Sequence, residues 1–249
     1  MCLAVALAAC GSDAGNFPPG GGGGGGGGGA DAGYDDAAPA PDAGITGRMC
    51  EAGSLLAPTA CPGGVDFSAA AAVDVDTGDT TVAAQDGSFG LPAAPGEDEV
   101  RLRLAAGHGL YRASLFVVGL DAAGTAGPID FPVMAEEDWT ALVTAIGGSS
   151  PAGDGALVIY THTRNLSGDL VPLAGVASTS PGGALVYYDN GAALEWDQDL
   201  EGTGTDGVIL IAPVAPGAAV NVTLDDGTSI VLLGVPVEAD TITFADVEF

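Results

Sequence analysis

The chain has 249 residues, 33 Asp and Glu against 5 Arg, no Lys, and a formal net charge of −28. That balance excludes a nucleic-acid binder, whose phosphate contacts need cations, and argues against docking on anionic lipid headgroups. An apolar fraction of 47% is too high for a disordered acidic tail, and no apolar run approaches the ~20 residues of a spanning helix.

Residues 1–9 read as a targeting leader. The apolar stretch Leu3–Ala9 has the character of a secretory h-region, and small residues precede Cys10. No Lys or Arg occurs before Arg48, so the leader lacks its positive n-region. That points to an initiation site upstream of Met1. Residues 10–49 read as a tether: ten consecutive glycines, Gly20–Gly29, are followed by Ala, Asp and Pro. Such a segment cannot bury enough apolar surface to offset its ordering entropy. A flexible coil of ~36 residues has an r.m.s. span of about 30–35 Å. A phosphate-cradling loop is excluded, because no strand precedes the glycines and no Gly-Lys-Ser/Thr closes them.

Leu7-Ala8-Ala9-Cys10 resembles the lipobox of bacterial lipoproteins. The resemblance implies that Cys10 becomes the first residue of the mature chain and carries acyl groups. Gly11-Ser12 follow, with no Asp beside the Cys, which by the same resemblance implies the outer membrane. Cys2 would then leave with the leader. Cys50 and Cys61 remain, an even pair in an exported protein. They are expected to form a disulfide closing a ring worth roughly 2–3 kcal/mol by loop entropy.

From Gly63 onward the pattern is β: short alternating runs punctuated by Gly, Pro and Asp-Gly. Val100, Leu102 and Leu104 alternate with Arg101, Arg103 and Ala105; Val220, Val222 and Leu224 alternate with Asn221, Thr223 and Asp225. Asp86-Gly87, Asp206-Gly207 and Asp226-Gly227 read as tight turns. An internal repeat runs at an offset of 120 residues, carrying Asp86-Gly87 onto Asp206-Gly207 and Val100, Leu102 and Leu104 onto Val220, Val222 and Leu224. The expectation is therefore an all-β chain with two tandem β-sandwich units, 50–130 and 151–249.

Residues 131–150 between them read as a linker with one helix. Trp139, Leu142, Val143 and Ile146 form one apolar stripe, Glu136, Glu137 and Asp138 sit at the positive end of the dipole, and Gly147-Gly148 terminate it. The helix is expected to pack across the junction of the units. The second unit opens with the strand Ala156–Thr163, and further strands are expected at Leu173–Ser178, Ala184–Tyr188 and Thr241–Phe249.

The second unit carries Gly183-Ala184-Leu185-Val186, then Thr203-Gly204-Thr205-Asp206-Gly207-Val208-Ile209-Leu210-Ile211, then Pro216-Gly217 and Val220-Asn221-Val222. In these residues it resembles the carboxypeptidase regulatory-like domain, a transthyretin-like (prealbumin-like) β-sandwich. The first unit keeps Asp86, Gly87 and the aromatic Phe89, followed by Pro95-Gly96. Ile209 stands where the family has an aromatic, Ala83 where it has Thr, and the Tyr often found after Pro-Gly is missing from both. The resemblance implies an accessory, non-catalytic domain. Lipobox, low-complexity tether and such domains together resemble exported lipoproteins of Gram-negative bacteria.

Catalytic sets do not emerge. His108 is followed by Gly109-Leu110-Tyr111 and His162 by Thr163-Arg164-Asn165, so neither opens a zinc-peptidase motif, and no Gly-x-Ser-x-Gly elbow occurs. Asp197, Asp199 and Glu201 are the calcium candidates, because oxygen donors at alternate positions can wrap a hard cation; Val208 stands at the twelfth position, so the loop is no EF-hand. Asp74-Val75-Asp76-Thr77-Gly78-Asp79 is a shorter version. Tyr187, Tyr188 and Trp196 are candidates for a glycan platform, with one of the adjacent tyrosines expected to face inward and one outward. The resulting expectation is a non-enzymatic, membrane-anchored envelope lipoprotein. It would have a binding or structural role, an acyl chain in the bilayer, an envelope protein or polysaccharide as partner, and no cofactor. A calcium-dependent adhesin module is the alternative, and a cell-wall or peptide hydrolase a third.

Overall fold

A computed structural model of the chain describes residues 44–56, 65–93, 98–105, 108–121, 124–148, 152–179, 181–191 and 196–249. The described residues form sixteen strands and one helix. The first half contains β1 (Ile45–Glu51), β2 (Ala71–Asp74), β3 (Thr80–Val82), β4 (Ser88–Leu91), β5 (Glu99–Leu104), β6 (Ala113–Gly119) and β7 (Ala126–Val133). Helix α1 (Glu136–Ala145) follows. The second half contains β8 (Gly155–Arg164), β9 (Leu170–Pro172), β10 (Ala177–Ser178), β11 (Leu185–Asp189), β12 (Trp196–Asp197), β13 (Val208–Val214), β14 (Gly217–Asp225), β15 (Ile230–Val237) and β16 (Thr241–Glu248).

The fold is all-β, and its two halves repeat one topology. In the first, β1 pairs antiparallel with β4 and parallel with β7, while β5 and β6 form an antiparallel pair. In the second, β8 pairs antiparallel with β13 and parallel with β16, while β14 and β15 form the matching pair. The 120-residue offset is thus carried by structure. It fades upstream because the first strands are spaced differently: Met49 occupies the place that Thr161 holds in the second half.

The halves are not separate sandwiches. A sheet of ten strands runs β12-β11-β13-β8-β16-β6-β5-β2-β3, with β9 added on β8. Strand β16 lies in its middle, parallel to β8 on one side and to β6 of the first half on the other. Two three-stranded sheets, β4-β1-β7 and β10-β14-β15, complete the molecule.

This sharing sets the cores. Ala156, Val158 and Tyr160 of β8 enter a first core with Ile45, Met49, Phe89, Leu102, Phe116, Phe131, Val208, Leu210 and Phe244. The alternate residues Leu157 and Ile159 enter a second core with Ile209, Ile211, Val222, Leu224, Leu233 and Val235. Strands covered on both faces read as continuous apolar runs, as Ala156–Tyr160 and Val208–Ile211 do. Tyr187 joins the first core and Tyr188 the second, so both are buried. The expected inward–outward split of these tyrosines is corrected: β11 has protein on both sides. Trp196 packs partly buried against the first core.

Two boundaries also move. β1 starts at Ile45, inside the stretch that composition assigns to the tether, with Ile45, Gly47 and Met49 turned inward. Phe131–Val133 belong to β7 and not to the linker. Helix α1 packs as expected: Trp139 and Val143 are buried in the core that also holds residues of both halves. Its first-turn acids face the positive dipole end, and Gly147, at φ +67°, closes its C-terminus.

Candidate functional site

The family-like residues organise turns. Gly87 and Gly207 adopt positive φ, and each lays its carbonyl on the first strand of its own half: Met49 N–H donates to Gly87 O at 2.9 Å, and Thr161 N–H to Gly207 O at 2.7 Å. A Cβ on Gly207 would stand 2.6 Å from the Thr161 carbonyl oxygen; one on Gly87 would collide with that of Met49. Asp86 accepts Ser88 N–H at 3.0 Å and Ser88 Oγ–H at 2.7 Å, and these bonds hold its pKa below the usual value. Phe89 packs on Phe131 with centroids 5.8 Å apart.

At the second turn the organiser is a residue that sequence reasoning missed. Asp189, fully buried, accepts three backbone N–H bonds, from Gly204 at 3.0 Å, Asp206 at 3.1 Å and Val208 at 2.9 Å. Asp74 does similar work between β2 and β3, accepting from Asp76 N–H at 2.8 Å and Thr77 Oγ–H at 2.8 Å. A lone Asp ending an apolar strand was the available signal for each.

All five arginines are matched to carboxylates on other segments. Arg48 forks onto Asp130 at 3.0 and 2.9 Å, tying β1 to β7. Arg101 bonds Asp76, and Arg164 bonds Glu248 at 2.6 and 2.9 Å. Arg103 reaches Glu238 of the second half at 3.0 Å, and Arg112 reaches Glu136 of α1 at 3.1 Å while lying 5.2 Å over the Trp139 ring. Most of these pairs are solvent-exposed and contribute little stability, and five arginines offset only a small part of the chain's 33 Asp and Glu. The molecule therefore presents an acidic field.

Beside the shared sheet lies a cleft of about 430 Å³, lined by Arg103, Tyr111, Arg112, Glu136, Asp240 and Thr241. Tyr111 donates to Glu51 at 2.8 Å; burial, then that bond, pushes its pKa up. With both arginines already facing carboxylates, the cleft has mixed polarity and holds no arranged nucleophile and base.

A strongly perturbed carboxyl sits on β16. Asp246 is pushed up to about 6 by burial. Its neighbours across the parallel pair are Tyr160 in register and His162, whose Nδ1 is 3.6 Å from Asp246 Oδ1. Burial lowers His162 despite the opposing pull of Glu248 and raises Tyr160 far above its ordinary value. The Tyr160 hydroxyl donates to the Leu55 carbonyl at 2.9 Å and is occupied structurally.

The calcium candidates do not converge. Asp197 pairs across from Tyr188 on β12 and accepts Asp199 N–H at 2.8 Å, while Asp199 and Glu201 point to solvent. Among the described residues no three His, Cys, Asp or Glu side chains gather as a metal site. Cys50 is buried on β1 and its sulfur is engaged, not a free thiol. Its expected partner Cys61 lies outside the described residues, as do Cys2, Cys10, the glycine run and Pro95-Gly96. No described helix is long and apolar enough to cross a membrane.

No protein-family model matches the chain, and no curated protein matches it. Among solved structures it is similar, over 82% of its length, to the TIE protein of Bacillus anthracis at 11% identity and a TM-score of 0.22. A fimbrial protein from Bacteroides ovatus matches over the same share at 8% identity and a TM-score of 0.22, and the major pilin from Streptococcus pyogenes at 10% and 0.19. The chain spans 33% and 49% of the first two and 98% of the pilin.

Proposed function

We propose that the protein is a non-catalytic lipoprotein of the cell envelope, anchored through acylated Cys10 and holding an acidic double sandwich away from the bilayer on its glycine-rich tether. One observation carries this reading. The lipobox-like Leu7-Ala8-Ala9-Cys10 and the Gly20–Gly29 run stand directly upstream of a body whose buried carboxylates and arginines are spent on holding turns and strands. The role is binding or structural, with a cationic or neutral envelope protein or polysaccharide as the partner class. A disulfide from Cys50 to Cys61 fits an oxidising compartment. Fractionation of cells producing the chain and its Cys10→Ala variant tests the anchor. The parent is expected in the outer-membrane fraction and the variant in the soluble envelope fraction. A parent recovered in the cytosol would overturn the reading.

A further inference from the structure

The fold covers one kind of strand edge in its first half and leaves the same edge open in its second. In the first half, β6 ends its sheet and is closed by β16. The equivalent strand in the second half is β15, which ends the sheet β10-β14-β15 with no further strand paired to it among the described residues. Leu115 of β6, on the outward face at the joint, is fully buried, whereas Ile230 and Leu232 on the outward face of β15 are 72% and 66% exposed.

Hydrogen-bond directions show what this edge offers. Thr223 of β14 donates its N–H to Thr179 Oγ1 and accepts Thr179 N–H, both at 3.0 Å, so it faces β10. Alternation along an antiparallel ladder then turns Val222 and Leu224 to β15, and Val231, Leu233 and Val235 of β15 back to β14. Ile230, Leu232 and Gly234 are left with N–H and C=O on the open edge. The eight residues Ile230–Val237 carry no charge in a chain of net charge −28.

The other edges are closed or short. β3, β4, β9, β10 and β12 have four residues or fewer. β7 is as long as β15, but Met49 bonds toward Gly87, so Arg48 and Cys50 face β7 and bond to residues flanking their register partners Asp130 and Pro132. Residues 128, 130 and 132 therefore face outward. Pro128 and Pro132 have no N–H to give, the protection expected of an exposed edge. Among the described residues a second copy thus has one long edge able to pair, β15 itself.

We infer that β15 is a self-association edge at which two copies pair antiparallel about a two-fold axis at Leu232. In that register Leu232 meets its counterpart and Ile230 meets the partner's Gly234, large against small, so every outward N–H from 230 to 234 is used. Pro236 falls just outside the paired core. Each copy carries a net charge of −28, so association opposes like charges and strengthens as salt screens them.

Sedimentation of the full chain tests this at low salt and at about 1 M salt, where the Debye length is about 3 Å. The expected result is a monomer–dimer equilibrium that shifts to dimer with salt. Leu232→Lys, on an exposed site, sets like charges across the axis and weakens dimerisation by at least about tenfold with its melting temperature in the monomer unchanged. Leu232→Cys is expected to give a disulfide-linked dimer on mild oxidation, because directly opposed strand residues lie within bridging distance. A parent that stays monomeric at high salt, or a dimer that Leu232→Lys leaves intact, would overturn the inference.

Discussion

Neutralising Asp246 should stabilise the protein at neutral pH. Its carboxyl keeps a third of its side chain exposed, yet burial raises its pKa from 3.8 to about 6. The unfolded chain therefore loses this proton first, and folding becomes less favourable as pH rises from about 3.8 through about 6. The full difference corresponds to about 3 kcal/mol; screening at the exposed third reduces the expected cost to about 1–2 kcal/mol. Asp246→Asn removes it, so urea unfolding at pH 7.5 should show the variant more stable by about 1–2 kcal/mol. Below about pH 4 both proteins carry a neutral group at this position and the difference should vanish. His162 works in the opposite direction, since burial holds it neutral and acidification penalises it, but it is common to both proteins and cancels. An Asn variant that is equal or weaker at pH 7.5, or a gap that persists at pH 4, would refute the assignment.

Other perturbations probe the shared sheet and its turns. Phe244 stacks on Phe116 at 4.9 Å and near Tyr160 at 6.4 Å, so Phe244→Ala should cost about 3–5 kcal/mol in urea unfolding. Because β16 belongs to both halves, calorimetry of the parent should give one transition with matching calorimetric and van't Hoff enthalpies; two resolved transitions would contradict the shared sheet. Gly207→Ala, forced into positive φ against the Thr161 carbonyl, should lower stability by at least about 2 kcal/mol. Asp189→Ala strands three backbone N–H groups and should cost about 2–4 kcal/mol, which amide exchange at Gly204, Asp206 and Val208 would localise.

Local chemistry in the sequence announced much of the fold. Alternation marked β5 and β14, the Trp139–Ile146 stripe marked α1, and Asp-Gly marked the turns before β4 and β13. The joint between the halves was not legible, because nothing in Thr241–Glu248 says which strand lies on its second side. The doubly covered runs Ala156–Tyr160 and Val208–Ile211 did carry that information, as apolar residues on both faces. Read as ordinary strands, they left Tyr187 and Tyr188 split between core and solvent. β1 was hidden by its composition: Ile45-Thr46-Gly47-Arg48 continues a Gly- and Ala-rich tract. Asp189 and Asp246 look alike in sequence, and only packing separates a carboxylate with three N–H donors from one beside the half-buried His162.

The anchor is the claim on which the functional account rests, and the mass of the mature N-terminal peptide from native membranes tests it most directly. The account expects a chain that begins at Cys10 and carries added acyl mass. An unmodified peptide still bearing Met1 would contradict it. The acidic double sandwich would then have to be placed in another compartment.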